Sequence, residues 1–273
     1  MQIGVIGTGN MGSILVEAMI EANAVSPSCL SIHNRTRAKA ERLQHNYPEL
    51  QVFDHVEELV QKSQCLFICV KPHDIFPLLQ RIKPHLTTSH CMISITSPVS
   101  VEQLEHQVDC SVARIIPSIT NRAFSGVSLF TFGSTCTQEW KHQLLELFRA
   151  FSKPYEIPQN ITRVASDIVS CGPAFFSYLT RRFIEGAVQE TEINEETATI
   201  LASEMLVGLG ELLRQGHYTL PTLEDKVCVK GGITGEGIKV LETELDGIFE
   251  KLFQATHEKF GEDLEKVYEQ FGI

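Results

Sequence analysis

The sequence predicts an α/β protein, with an N-terminal Rossmann doubly wound parallel sheet followed by an all-α dimerisation domain. Three observations carry this. The chain opens on a short apolar strand that runs into Gly7-x-Gly9-x-x-Gly12 and then into a helix-like stretch. Strand-like and helix-like segments alternate as far as residue 158. Beyond Ile161 the strand patterning stops and long helical periods take over. Strands alternating with helices build a parallel sheet covered on both faces, because parallel neighbours need crossover connections.

The opening motif stands in the setting that a dinucleotide requires: strand, turn, helix. Gly7 permits the tight turn, Gly9 lets a pyrophosphate approach the backbone, and Gly12 lets helix and strand pack closely. Asn10 and Met11 lie at the helix start, whose unpaired N–H groups face an anion.

The second strand, Leu30–His33, ends at Asn34-Arg35-Thr36-Arg37. About twenty residues past the glycines an NAD-binding chain carries an acid for the ribose hydroxyls. Here an amide, a hydroxyl and two guanidinium groups stand instead. The planar fork of arginine suits a 2′-phosphate, so the expected cofactor is NADP(H).

Further strands are expected at residues 51–53, 65–70, 91–96, 111–116, 127–132 and 155–157, with helices Arg37–Asn46 and Val56–Lys62 among the early ones. Several are continuous apolar runs, as strands buried on both faces should be. Pro158 marks the expected boundary, giving a nucleotide-binding domain at 1–158 and a helical substrate and dimerisation domain at 159–273. The second domain is expected to hold helices at 161–189, 194–215, 235–262 and 264–271. Its apolar stripes are broad, from Ile200-Leu201-Ala202 through Met205-Leu206-Val207 to Leu213. A helix apolar around much of its surface must be covered, and this half is too small to close a core alone. A homodimer through the C-terminal helices is therefore expected.

Composition narrows the partners. At 273 residues the chain suits one large or two medium domains. A net charge of −11 argues against nucleic acid or an anionic membrane. No apolar run approaches the ~20 residues of a membrane span. The eight cysteines are scattered without a CxxC pair, and the ten histidines show no ligand spacing, so no metal site is expected. Free thiols and the lack of a leader ahead of the first strand point to the cytoplasm.

Four further segments, Cys65-Leu66-Phe67-Ile68-Cys69-Val70-Lys71-Pro72, Arg114-Ile115-Ile116-Pro117, Cys171-Gly172-Pro173-Ala174-Phe175-Phe176 and Gly231-Gly232-Ile233-Thr234, resemble in order and spacing the pyrroline-5-carboxylate reductases. The resemblance covers nearly the whole chain. That family reduces a cyclic imine acid to proline with NAD(P)H, and its helical domain interlocks into dimers that sometimes stack into decamers. The resemblance implies that Gly7, Gly9, Asn10, Met11 and Gly12 form the phosphate turn. It places Asn34, Arg35 and Thr36 at the adenosine 2′-phosphate, and Val70, Lys71 and Pro72 along the nicotinamide ribose.

The substrate half departs from the family pattern. Ser-Gly-Ser-Gly-Pro-Ala-Tyr reads here as Val169-Ser170-Cys171-Gly172-Pro173-Ala174-Phe175, and Ser-Pro-Gly-Gly-x-Thr as Val229-Lys230-Gly231-Gly232-Ile233-Thr234. Met-Pro-Asn-x-Pro reads as Ile116-Pro117-Ser118-Ile119-Thr120, and Ala-Ala-Gly as Thr96-Ser97-Pro98. Thr234 keeps the hydroxyl that in the family approaches the ring nitrogen. Gly231 and Gly232 precede a helix start that can bind a carboxylate. Lys230 is a candidate replacement anchor for that carboxylate. Gly172-Pro173 is expected to kink a helix at the pocket, and Glu185 matches a family glutamate. The altered loops resemble the divergent late-competence (ComER-type) branch, which makes an NADP-binding regulatory protein with weak or no reductase activity the alternative. A β-hydroxyacid dehydrogenase would need a catalytic lysine in residues 161–189, which carry Arg163, Arg181 and Arg182 but no lysine. Reduction of another imine or of a deazaflavin stays open.

Overall fold

The structure, a computed structural model, describes residues 1–272. Eight strands form one sheet: β1 (Ile3–Ile6), β2 (Leu30–His33), β3 (Gln51–Val52), β4 (Cys65–Ile68), β5 (Cys91–Ser94), β6 (Ser111–Ile116), β7 (Val127–Phe132) and β8 (Lys153–Glu156). Helices α1 (Asn10–Glu21), α2 (Arg37–Asn46), α3 (Val56–Lys62), α4 (Pro72–Ile82), α5 (Val101–Glu105) and α6 (Gln138–Arg149) connect them. The order is β3-β2-β1-β4-β5-β6-β7-β8, so the chain reverses direction across the sheet beside β1. Crevices at the carboxyl ends of strands beside such a reversal are where doubly wound sheets bind ligands.

The sheet departs from the fully parallel expectation at one pair. β7 runs antiparallel to β6, with Ile115 opposite Phe130, while every other pair is parallel. The link from β6 to β7 is a single 3-10 turn, Ile119–Ala123, too short for a parallel crossover. β8 carries Pro154 at the open edge, where a missing donor costs no ladder bond.

Alternate residues of each strand feed opposite faces. Cys65 and Phe67 of β4 join the apolar cluster that gathers α1, α2 and α6, while Leu66 and Ile68 join the cluster of α3, α4 and α5. All four are buried, which explains the unbroken apolar run in the sequence.

The helical part comprises α7 (Thr162–Ser166), a π-helical turn at Asp167–Cys171, α8 (Gly172–Glu190), α9 (Glu195–Arg214), α10 (Leu220–Val227), α11 (Ile233–Glu244) and α12 (Ile248–Phe271). Three helical expectations are corrected. The single helix expected over 235–262 is two, because the chain leaves the helix at Leu245 and turns through Gly247 before α12 begins. The separate helix expected at 264–271 is the end of α12, which runs unbroken to Phe271. Helix α10 was not expected; Thr219 starts it with a capping box closed by Thr222.

The chain forms two compact units that do not follow the break at residue 158. One holds Met1–Pro173 with Ala255–Ile273, and the other holds Ala174–Gln254. The reason lies in α12, whose last turns belong to the first unit. Val267 and Phe271 are buried in the α3–α5 cluster, Phe271 meets Phe76 edge to face at 5.1 Å, and the Gln270 side-chain amide donates to the His73 carbonyl at 3.2 Å.

Candidate functional site

The turn between β1 and α1 has the geometry its glycines predict. Gly7 sits at φ +102°, where side chains are strained, and a Cβ there would lie 2.6 Å from the Cys69 carbonyl oxygen. A Cβ on Gly12 would meet the Gly7 carbonyl at 1.9 Å, so strand and helix approach only without it. Gly9 faces open space, with nothing within 4 Å. The first intrahelical bond runs from Ser13 N–H to the Gly9 carbonyl at 2.9 Å, which leaves the N–H groups of Asn10, Met11 and Gly12 ahead of it. No acid occupies the first turn. The Thr8 hydroxyl is buried in this turn with no protein partner among the described residues. Open space at Gly9, unspent N–H groups and an orphaned hydroxyl fit a phosphate.

Asn34 ties this turn to the next. Its Oδ1 accepts from Thr8 N–H and its Nδ2 donates to the Thr36 carbonyl, both at 2.9 Å. Asn34 thereby fixes the relative position of the two turns that a nucleotide would bridge. The two arginines divide. Arg37 is spent on Glu41 and Asp54, which hold its guanidinium firmly protonated. Arg35 has a 91% exposed side chain and only a 3.9 Å approach to Asp74. It is the arginine available to a 2′-phosphate. Lys39 and Arg42 of α2 join Thr8, Gly9, Asn10 and Ser13 around a cleft of about 280 Å³. These two cations were missed in the sequence. Their signal was the i, i+3 spacing that puts both on one side of α2.

Val70, Lys71 and Pro72 occupy the bend after β4. Lys71 is the N-cap of α4 and Pro72 its first residue, where a missing N–H is harmless. The next strand end, Thr96-Ser97-Pro98, is held from below. Arg114 of β6 donates to the Ser97 carbonyl, and Arg163 of α7 to the Ser97 hydroxyl, each at 3.3 Å. Arg163 also pairs with buried Asp167 at 2.7 Å, and Asp167 accepts from the Thr256 hydroxyl at 2.9 Å. Neither arginine was expected to act here, although a lone cation inside the apolar run Ser111–Ile116 signals a buried charge.

The segment before Gly172-Pro173 is the π-helical turn. Its carbonyl and hydroxyl groups are stitched to the end of β6: Ser118 Oγ donates to the Val169 carbonyl at 2.8 Å, and Ser170 Oγ to the Pro117 carbonyl at 2.9 Å. Val169 packs on the small cluster of Ile116, Leu129 and Ile157. The side chains standing at these family positions therefore serve packing and backbone bonds. Pro173 is the second residue of α8, directly after the π turn, so the irregularity beside the expected kink is the π turn itself.

The second unit holds the remaining candidates. Gly232 is the N-cap of α11, and its N–H donates to the Val229 carbonyl at 2.9 Å. A Cβ on Gly232 would meet that carbonyl oxygen at 2.9 Å. Lys230, Gly231 and Thr234 are exposed around this helix start, and Ile233 is 92% exposed. Glu185 pairs with Arg181 and Arg182 of its own helix.

Few apolar side chains of this unit find cover. Phe183, Ile200, Leu201, Met205 and Val207 are exposed, whereas only Ala198 and Ala202 of α9 are buried. An apolar cleft of about 250 Å³ lies between α8 and α9, lined by Phe183, Ala187, Leu201 and Met205 among others. Among the described residues no helix is long and apolar enough to cross a membrane, and no cluster of metal-ligating side chains is present.

Comparisons with known proteins match the two ends of the chain to different family models, the second starting at residue 159 and not at the boundary of the compact units. A family model described as pyrroline-5-carboxylate reductase dimerisation matches residues 159–263. One described as NADP oxidoreductase, coenzyme F420-dependent, matches residues 2–98. The chain is 54% identical over 273 residues to ComE operon protein 4 of Bacillus subtilis (strain 168), covering 100% of both chains. It is 29% identical over 260 residues to pyrroline-5-carboxylate reductase 3 of the same organism, covering 95% of each. The crystal structure of Plasmodium falciparum pyrroline carboxylate reductase with NADP bound superposes with a TM-score of 0.84 at 21% identity, over 97% of this chain and 98% of that one.

Proposed function

The chain belongs to the pyrroline-5-carboxylate reductase family, in the branch of ComE operon protein 4, and on that premise we propose that it is an NADPH-dependent reductase of a cyclic imine acid, nominally 1-pyrroline-5-carboxylate to L-proline. The observation that carries the nucleotide part is the β1–α1 turn, where Gly12 admits no Cβ, Gly9 opens to solvent and Thr8 holds an unspent hydroxyl. Gly7, Gly9, Asn10, Met11 and Gly12 bind the pyrophosphate. Arg35 and Thr36, set in place by Asn34, take the 2′-phosphate side. Val70, Lys71 and Pro72 line the ribose of the nicotinamide half.

NADPH, when bound, would supply a hydride for the imine carbon, and the ring nitrogen would take its proton from solvent. The protein has to orient the substrate and stabilise charge at both of its ends. The start of α11 at Gly231 and Gly232 anchors the substrate carboxylate, with Lys230 as a charged replacement for a lost hydroxyl. The Thr234 hydroxyl donates toward the ring nitrogen. Gly172, Pro173 and Glu185 complete the substrate side. The exposed apolar faces of α8 and α9 support a homodimer through the helical half, in which that substrate side is assembled.

A second reading is favoured by the π turn, where Val169 is a packing residue and the Ser118 and Ser170 hydroxyls are committed to backbone carbonyls. In that reading the protein binds NADP(H) as a competence-associated regulator with weak or no reductase activity. One experiment separates the two: NADPH oxidation by the purified protein with pyrroline-5-carboxylate, with L-proline quantified. Turnover of about 10 s⁻¹, an ordinary enzyme value, establishes the reductase. NADPH binding without proline, with activity gained in the triple variant Val169→Ser, Val229→Ser, Lys230→Pro, establishes the regulator.

A further inference from the structure

Arg114 is the bulkiest of the fully buried side chains, at 1% exposure. Lys and Arg are almost never buried so deeply without an acid beside them. The acceptors around Arg114 are all neutral: the Ser97 carbonyl at 3.3 Å, the Thr131 hydroxyl at 3.1 Å and the Thr162 hydroxyl at 2.6 Å. Its Nε has no partner among the described residues. The other charges nearby do not neutralise it. Arg163 is matched by Asp167, and His257 lies 4.0 Å from that same carboxylate. Glu102 acts on Arg114 only through space. Burial pushes the guanidinium down to about 10, so it stays charged at neutral pH. One positive charge with no acid bonded to it is therefore fixed beneath the loop after β5.

The position of that loop gives the charge a role. Ser94 of β5 is the register partner of Arg114, and the side chain reaches past the strand end to Ser97. With phosphates at the end of β1 and the adenosine toward β2, the other half of a dinucleotide extends over the ends of β4 and β5. That half ends in a nicotinamide, which is neutral when reduced and cationic when oxidised. We propose that Arg114 is a redox discriminator: its unpaired charge beneath Ser97 disfavours the oxidised nicotinamide and leaves the reduced ring untouched, so that the protein holds NADPH and releases NADP⁺. The inference rests on the nicotinamide-nucleotide reading given above. It concerns the preference between two states of one ligand, which neither the phosphate turn nor Arg35 distinguishes.

The test is equilibrium binding of NADPH, NADP⁺ and adenosine 2′,5′-bisphosphate to the full-length protein, without substrate. In wild type the Kd for NADP⁺ exceeds that for NADPH. In Arg114→Met, which keeps bulk and removes charge, the ratio of the two falls by about three- to tenfold, as expected of one charge acting across roughly 10 Å of protein. Arg114→Lys retains the ratio. Thr131→Asp leaves the guanidinium in place and sets a counter-charge beside it, and it lowers the ratio as Arg114→Met does, which keeps the test open should that variant misfold. Adenosine 2′,5′-bisphosphate binds all four proteins alike. An unchanged ratio in Arg114→Met and Thr131→Asp overturns the inference and leaves the nucleotide reading standing. A wild-type protein that binds neither nucleotide overturns both.

Discussion

The two units of this chain solve the burial problem differently. In the nucleotide-binding unit, both faces of the sheet are covered by the chain's own helices, and Ile3, Val5, Phe67, Phe130 and Phe148 are fully buried. In the helical unit, Phe183, Leu201 and Val207 stand in the open at 60% exposure or more. The first unit closes its core with its own helices, and its candidate site combines backbone at a turn and a helix start with the side chains of Thr8, Asn34 and Arg35. The second leaves much of its apolar surface exposed among the described residues. The difference bears on the proposed division of labour, with nucleotide binding within one copy and substrate handling in a pair.

The sharpest way to break the comparison is to charge the open face. Leu201→Glu with Val207→Glu is expected to convert the dimer to monomer in light scattering. Each such side chain contributes about 1.5–3 kcal/mol when buried, and a two-fold interface contains each twice. A dimer that survives both substitutions places the interface elsewhere. In the other unit, Gly12→Ala sets a Cβ against the Gly7 carbonyl. Overpacking there is expected to cost about 1–3 kcal/mol of stability and to lower NADPH affinity at least about tenfold, read by nicotinamide fluorescence. Arg35→Ala is expected to weaken NADPH by about tenfold while leaving NADH nearly unchanged, because a charge-assisted bond is worth about 1.5–3 kcal/mol.

How much of this was legible varies with the kind of residue. The phosphate turn was readable because three glycines at fixed spacing leave few other conformations. The buried strands were readable because both of their faces must be apolar. The antiparallel β7 was not readable, since its residues alternate faces identically in either direction and only the short 117–126 connection distinguishes them. The break at Leu245–Gly247 and the π turn at Asp167–Cys171 were hidden inside continuous helical periodicity. The return of α12 to the first unit depends on contacts of Val267 and Phe271 that no local pattern encodes. For the candidate site, the sequence singles out the Asn34–Arg37 turn, but the difference between Arg35 and Arg37 depends on Asp54, which the chain brings close only on folding.

Two smaller effects sharpen the picture of the first unit. Ser118→Ala removes the bond to the Val169 carbonyl and is expected to lower stability by about 1 kcal/mol in denaturant unfolding, with NADPH affinity unchanged. The smallest effect is electrostatic. Hydrogen bonds from Arg122 and Tyr47 hold the Glu21 carboxyl below its ordinary value of 4.5. A lowered carboxylate contributes stability above its unfolded pKa, and that contribution is lost as pH falls through the folded one. Arg122→Ala is expected to remove this loss from the acid limb of the stability curve, an effect below about 1 kcal/mol because the groups are largely solvated.

The most direct measurement is NADPH binding by the Leu201→Glu, Val207→Glu variant, expected to be monomeric, followed by fluorescence titration against wild type. If the nucleotide site is complete within one copy, Kd stays within about threefold of wild type, a difference below ~1 kcal/mol, while any imine reduction is lost. If NADPH binding collapses together with the dimer, the two units are not independent in the way proposed, and the nucleotide site also depends on the second copy.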